Sequence, residues 1–269
     1  MRNRLLSNKR ASIITPMAVL IFLLVMINCG SEDNPAGSIN PGNGNIAYIY
    51  QPREGYTTPD QFESFLEGRG YPTDLIPVED IIPDNFSEFV LPDYSLIIID
   101  SDIGDQNEWG DSVRVALIKL CDRPVLGLGF GGIRLFTEMS LFVNWYNCAE
   151  FSRNSDPFHT ELSVDNTNPD NEIIDTTAVI FTTPNDIRFV GDSLIDLHRN
   201  AALIAFDYTT PDLPDSLVFY GRQPNSNVYY SLVREGKYMM WGFAASPEEM
   251  RDSGLNFFEN VVSYLMSGS

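Results

Sequence analysis

Apolar positions along the chain fall into three textures. Residues 13–27 form one nearly continuous apolar run, broken only by Thr15 and Pro16. Between residues 46 and 143, short apolar blocks alternate with segments of helical spacing. The blocks at 45–51, 73–78, 94–102 and 124–130 read as strands, and "LIII" within the third is apolar at successive positions. Such a run suits a central parallel strand covered on both faces. The intervening segments read as helices. Thr58 precedes Pro59, Phe62, Phe65 and Leu66 recur at helical spacing, and Gly68 and Gly70 end the first helix. Residues 109–121 and 131–142 are the next two. Beyond Asn144 the texture changes to strand-like pieces separated by Asn, Pro, Asp and Gly: "HTELSV", "TAVIF", "ALIAFDY", "SLVFYGR", "NVYYSLVREG" and "KYMMWGF". The chain closes with a helix whose apolar face is Leu255, Phe258, Val261, Val262 and Leu265. The pattern predicts an α/β three-layer sandwich: a central, mostly parallel sheet with helices on both faces and extra antiparallel strands in the C-terminal half.

The N-terminus changes the picture of where the domain works. Arg2, Arg4, Lys9 and Arg10 precede the apolar run, which is shorter than the ~20 residues a spanning helix needs. A charged head and a short apolar core describe a secretory signal over residues 1–28. Cys29 directly follows, and "VMINCGSEDN" resembles the lipobox of bacterial lipoproteins, which implies acylation at Cys29 and a lipid anchor. Asn28 and Met26 depart from the usual residues of that motif, and an uncleaved anchor is the alternative. Residues 29–45, rich in Gly, Ser, Asn and Pro, read as a flexible tether. Residues 46–269 then form one domain, outside the cytoplasm, on the cell envelope.

Charge narrows the partners. The formal net charge is −20, and the first 28 residues hold four of the 17 basic residues and none of the 37 acidic ones. The rest of the chain therefore repels phosphate backbones, which excludes nucleic acid. Cys121 and Cys148 remain beside Cys29; in an oxidising compartment an even pair invites a disulfide, with two buried thiols as the equal alternative.

Chemistry concentrates at "PVLGLGFGGIRL", a strand, a glycine burst and a helix. The stretch resembles the strand–turn–helix of class I glutamine amidotransferase-like proteins, a flavodoxin-like superfamily. Gly127 and Gly131 fall on that motif's two glycines, Gly129 on the nucleophile cysteine and Ile133 on its glutamine. "WGFAASPEE" resembles the motif that carries the catalytic base: Gly242, Pro247 and Glu248 keep their places and Ser246 stands at the histidine. The final helix resembles that of the trehalose-utilisation-type branch. The resemblance implies the fold, and it implies lost chemistry, because covalent amide transfer needs a thiolate and an imidazole to activate it. Gly129 and Ser246 supply neither. No catalytic residue, cofactor or metal is assigned.

What remains is a candidate ligand crevice at the carboxyl ends of the strands, gathering Gln51, Asp100, Ser101, Asp102, Gly129, Phe130, Gly131, Ser246 and Glu248. Its occupant is open: a small molecule, a glycan or an envelope protein. The alternative is a hydrolase of saccharides or peptides working through Asp100, Asp102 or Glu248, with or without a metal. Two other strings carry less. "VGDSLIDLH" contains a Gly-Asp-Ser-Leu esterase string, but Ser193 and His198 lack that motif's context. Residues 100–111 are rich in carboxylates but miss the glycine and glutamate spacing of a calcium loop.

Overall fold

The structure, a computed structural model, describes residues 44–81, 91–101, 112–139, 148–151, 160–163, 179–189, 194–199, 202–207, 217–222 and 229–268. In chain order the strands are β1 (Ile46–Tyr50), β2 (Thr73–Pro77), β3 (Leu96–Ile99), β4 (Val125–Leu128), β5 (Cys148–Phe151), β6 (Thr160–Ser163), β7 (Leu194–His198), β8 (Ala202–Asp207), β9 (Leu217–Arg222), β10 (Tyr229–Glu235), β11 (Tyr238–Trp241) and β12 (Phe243–Ala244). The helices are α1 (Thr58–Gly68), α2 (Ser112–Leu120), α3 (Gly129–Glu138), α4 (Val179–Thr182) and α5 (Asp252–Met266).

Strands β2-β1-β3-β4-β11 pair in that order and all run parallel. This is the flavodoxin-like arrangement of a doubly wound sheet. Burial of both faces explains the continuous apolar runs. Ile46, Tyr48, Leu96, Ile98, Leu126, Leu128, Met239 and Trp241 face one core with α1 and α5. The alternate residues Ala47, Ile49, Ile97, Ile99, Val125, Tyr238 and Met240 face the other with α2 and α3. Period-two alternation thus sends every second apolar side chain to a different layer. On the first face Phe258 of α5 lies 5.3 Å from Phe62 of α1, and Phe62 stacks on Tyr48 at 5.4 Å. The aromatic strands at the C-terminal end fill this core: Tyr220, Trp241 and Phe243 are all buried in it.

Antiparallel strands extend the sheet beyond β11 through β10, β9, β6 and β7. β8 branches off β10 and pairs with β5 and β12. The far edge returns to the domain: His198 of β7 bridges Met250, Arg199 N–H donates to the Glu249 carbonyl at 2.8 Å, and Arg251 N–H to the Leu197 carbonyl at 2.9 Å.

Two sequence expectations are corrected here. "TAVIF" contains a helical turn, α4, where a strand was expected. Val179 is exposed while Ile180 and Phe181 are both buried, and Thr183 N–H closes onto the Val179 carbonyl at 3.0 Å. The buried Asn260 side chain of α5 donates to the carbonyls of Ile180 and Asn185 at 3.1 and 2.8 Å, which holds the turn in place. An apolar run this short has no periodicity of its own to choose between the two states. The second correction concerns the cysteines. Cys148 pairs with Phe206, and Phe206 with Tyr230, at the start of β10. The Cys121 carbonyl accepts a bond from Lys237 Nζ, beyond the other end of β10. The strand from Tyr230 to Glu235 alone spans about 17 Å, against a Cα separation of at most ~7 Å in a disulfide. The register keeps Cys121 and Cys148 apart because β5 joins the antiparallel branch at its elbow end.

Candidate functional site

The elbow forms where the glycines place it. β4 ends at Leu128 and α3 begins at once, on Gly129, whose φ is +44°. That left-handed value is the sharp turn that glycine adopts freely. The turn is tight because α3 lies on β4 with no side chain between: a Cβ on Gly127 would meet the Gly132 Cα at 2.6 Å and the Phe136 ring at 2.8 Å. Gly131 N–H donates to the Ser101 carbonyl at 3.1 Å, which ties the elbow to the end of β3. Phe130 is 37% exposed and lines the crevice as one wall.

Across from the elbow stands the serine-proline corner. Glu249 Oε2 accepts the Ser246 N–H at 3.2 Å, and the Glu249 N–H donates to the Ser246 carbonyl at 3.0 Å. These bonds, with Pro247 in the first turn, make Ser246 the cap of a 3₁₀ turn over Pro247–Glu249. Elbow and corner share one hollow of about 230 Å³, lined by Tyr56, Thr58, Ser101, Phe130, Ala245, Ser246 and Glu249. All of these lie in connections that follow the carboxyl ends of the parallel strands.

Asp100 ends β3 beneath that hollow. It is fully buried and accepts two phenols: Tyr48 Oη at 2.9 Å on Oδ1 and Tyr56 Oη at 2.8 Å on Oδ2. Burial first, and then the Asp100 charge, raise the Tyr48 hydroxyl well above its usual pKa, so Tyr48 remains a donor. A carboxylate with both oxygens engaged in this way positions the Tyr56 segment.

The expected rim residues divide as follows. Ser101, Phe130 and Ser246 line the hollow, and Gly129 and Gly131 shape its floor. Gln51 lines neither hollow described here; its Oε1 accepts from Arg53 at 3.0 Å. Glu248 faces a second, larger groove of about 610 Å³ between α1 and the 3₁₀ turn, together with Asp60, Gln61, Phe65, Pro247 and Leu255. Of the carboxylates that the hydrolase alternative draws on, Asp100 and Glu248 line no common cavity among the described residues. Asp102 and Cys29 lie outside the described residues, as does Ser193. Sequence reasoning missed Tyr56, Thr58, Ala245 and Glu249. Only Glu249 carried a signal, since Ser-Pro-Glu-Glu is the capping pattern Ser-x-x-Glu.

His198 lies behind the corner, away from the crevice. It is fully buried, 4.7 Å from the Phe243 ring and 6.0 Å from Trp241. Desolvation by burial lowers its pKa to about 3, which keeps the imidazole neutral. Its strand braces the corner: Arg251 pairs with Asp196 at 2.8 Å, and the Ser253 hydroxyl donates to the Asp196 carbonyl. Among the described residues no group of three or more His, Cys, Asp and Glu is placed to hold a metal ion, and no helix is long and apolar enough to cross a membrane.

No protein-family model matches the chain, and no curated protein matches it in sequence. Solved structures do match in layout. PurLQS from Thermotoga maritima is 17% identical with a TM-score of 0.48, over 82% of this chain and 99% of that one. The glutaminase domain of the Trypanosoma brucei CTPS with bound acivicin is 12% identical with a TM-score of 0.46, over 81% and 93%. A glutamine amido transferase from Methylobacillus flagellatus is 10% identical with a TM-score of 0.41, over 84% and 94%. These likenesses concern the fold; the chemistry is judged on this chain's own residues.

Proposed function

We propose that the protein is a lipid-anchored envelope protein whose amidotransferase-like domain binds a ligand non-covalently and performs no amide transfer. The observation that carries this reading is the pairing of Gly129 with a capped Ser246 across an open hollow. A thiol nucleophile is absent where the turn presents one, and the corner opposite offers a hydroxyl where a base is needed. The hollow is nonetheless retained, walled by an exposed aromatic ring and several hydroxyls. Concave sites of this kind, apolar walls with a few converging polar groups, are where small ligands bind.

Three measurements test the reading. The full chain is screened by thermal shift against amino acids, mono- and disaccharides and dipeptides. A compound that raises the melting temperature is expected, and Ser246→Trp, which fills the hollow, is expected to cancel the shift. Release of ammonia from glutamine by the same protein, abolished by Ser246→Ala, overturns the reading. For the anchor, Cys29→Ala is expected to move the protein from the membrane pellet to the soluble fraction and to remove an acyl mass from the N-terminal peptide. Retention of both features in the variant rejects lipidation at Cys29.

A further inference from the structure

The hollow beside the elbow limits its occupant by size and by charge. At about 230 Å³ it falls below the roughly 300 Å³ at which sites for drug-sized ligands begin, so it admits a single ring. No lysine, arginine or histidine lines it, and the chain carries a net charge of −20, so an anion finds no counter-charge there. The one charged group on its wall is Glu249. That carboxylate is exposed and already accepts the Ser246 N–H, and an ion pair with it in water is worth little. The site therefore favours a neutral molecule.

The rest of the polar wall is hydroxyl, from Tyr56, Thr58, Ser101 and Ser246. Ser101 is only 8% exposed, and neither its hydroxyl nor that of Thr58 has a hydrogen-bond partner among the described residues. A polar group held that deep without a protein partner calls for one from the occupant. Tyr56 gives its proton to the buried Asp100, so toward the hollow its oxygen accepts. Serine and threonine hydroxyls both donate and accept. Ligand hydroxyls match such a wall, because they do the same and carry no charge to desolvate. Phe130 adds an apolar side, a ring 37% exposed at the mouth of the elbow. The electron-rich face of an aromatic ring attracts polarised C–H groups.

Resting on the reading of this hollow as a ligand site, we propose that its ligand is a neutral pyranose unit, either a free monosaccharide or the end of a sugar chain. One C–H face of the sugar ring lies on Phe130, and neighbouring hydroxyls meet Ser101, Thr58 and Tyr56. Aromatic face and hydroxyl wall are both needed: the first selects a ring with an apolar side, the second a ring that bears several hydroxyls.

The test applies saturation-transfer NMR and calorimetry to the full chain in a sugar-free detergent. The probes are D-glucose, D-galactose, D-mannose and N-acetyl-D-glucosamine, each free and as its methyl glycoside. Glycine, L-glutamine and tetramethylammonium chloride represent the other ligand classes. Saturable binding of at least one pyranose is expected, with transfer strongest to the C–H protons of one ring face. Binding of the methyl glycoside as well identifies a chain end as the ligand; binding of the free sugar alone identifies a monosaccharide. Phe130→Leu is expected to weaken binding about fivefold, and Phe130→Tyr to preserve it. Ser101→Ala is expected to weaken it about fivefold, and Ser246→Trp to abolish it. Binding of glycine, L-glutamine or tetramethylammonium that Ser246→Trp abolishes, with no pyranose bound, overturns the proposal and leaves the ligand-site reading standing. Pyranose binding that survives both Phe130→Leu and Ser246→Trp overturns it too, because the sugar then sits elsewhere. Binding of no probe overturns the proposal together with that reading.

Discussion

Replacement of Gly132 by alanine is expected to destabilise the domain by about 3 kcal/mol, at the upper end of what overpacking costs. Gly132 lies in the first turn of α3, directly over β4. A methyl group there would press on the carbonyl carbon, Cα and oxygen of Gly127. All three are backbone atoms of a central strand that pairs with β3 on one side and β11 on the other, so none can swing aside. The helix must lift instead. Its hold on the second core, through Ile133, Leu135 and Phe136, weakens as it does. The lift also carries Phe130 and the Gly131–Ser101 bond with it, which distorts the crevice. Urea denaturation of the full chain measures the loss. Gly68→Ala is the internal control, because a Cβ at that helical position meets nothing within 4 Å. That variant is expected to gain about 0.5 kcal/mol from helix propensity. A Gly132→Ala variant as stable as wild type shows that α3 does not sit on the strand as described.

The close packing of strand and helix was legible in the sequence because glycine is informative where backbone meets backbone. Four glycines in "GLGFGG" announced a tight turn, and the structure uses Gly129 for its positive φ and Gly127 with Gly132 for their missing side chains. The parallel core was legible for a similar reason. "LIII" has no polar face to offer water, and both of its faces are covered. The corner was half legible: the motif placed Ser246, Pro247 and Glu248, while the residue that fixes the cap is Glu249.

What stayed hidden depends on contacts between distant parts of the chain. Asp100 appeared as a free rim carboxylate, and 44 residues separate it from the Tyr56 hydroxyl that occupies its second oxygen. No local pattern reports such a pair. Asp60 and Gln61 sit in the first turns of α1, where polar residues are ordinary, and only the fold brings them beside Glu248 of the Pro247–Glu249 turn. The separation of Cys121 from Cys148 follows from strand register, which hydrophobic spacing alone does not determine for a strand as short as β5.

The stability of the domain is expected to fall as the pH drops below about 6.5, and His198 is expected to carry much of that loss. The unfolded chain exposes an ordinary imidazole that protonates near pH 6.5. The folded chain keeps it neutral down to about pH 3, because the ring is sealed among apolar groups and the cause of the shift is desolvation. Between those two values the unfolded state binds a proton that the folded state refuses. Stability is therefore fully present above the unfolded pKa and declines as the pH falls toward the folded one, by about 1.4 kcal/mol for each unit. Two units of acidification remove a sizeable share of the 5–15 kcal/mol that is typical of whole domains, about 3 kcal/mol. Other groups titrate over the same range, so the measurement is a difference. Urea midpoints of the full chain are compared at pH 7.5, 5.5 and 4.5 with those of His198→Phe, an aromatic replacement that suits the Trp241 and Phe243 surroundings. The variant is expected to lose less stability on acidification than wild type, by about 1.4 kcal/mol per unit below pH 6.5. Parallel pH profiles would mean that the imidazole is hydrated or paired in solution, and would place β7 in looser contact with the corner that it braces.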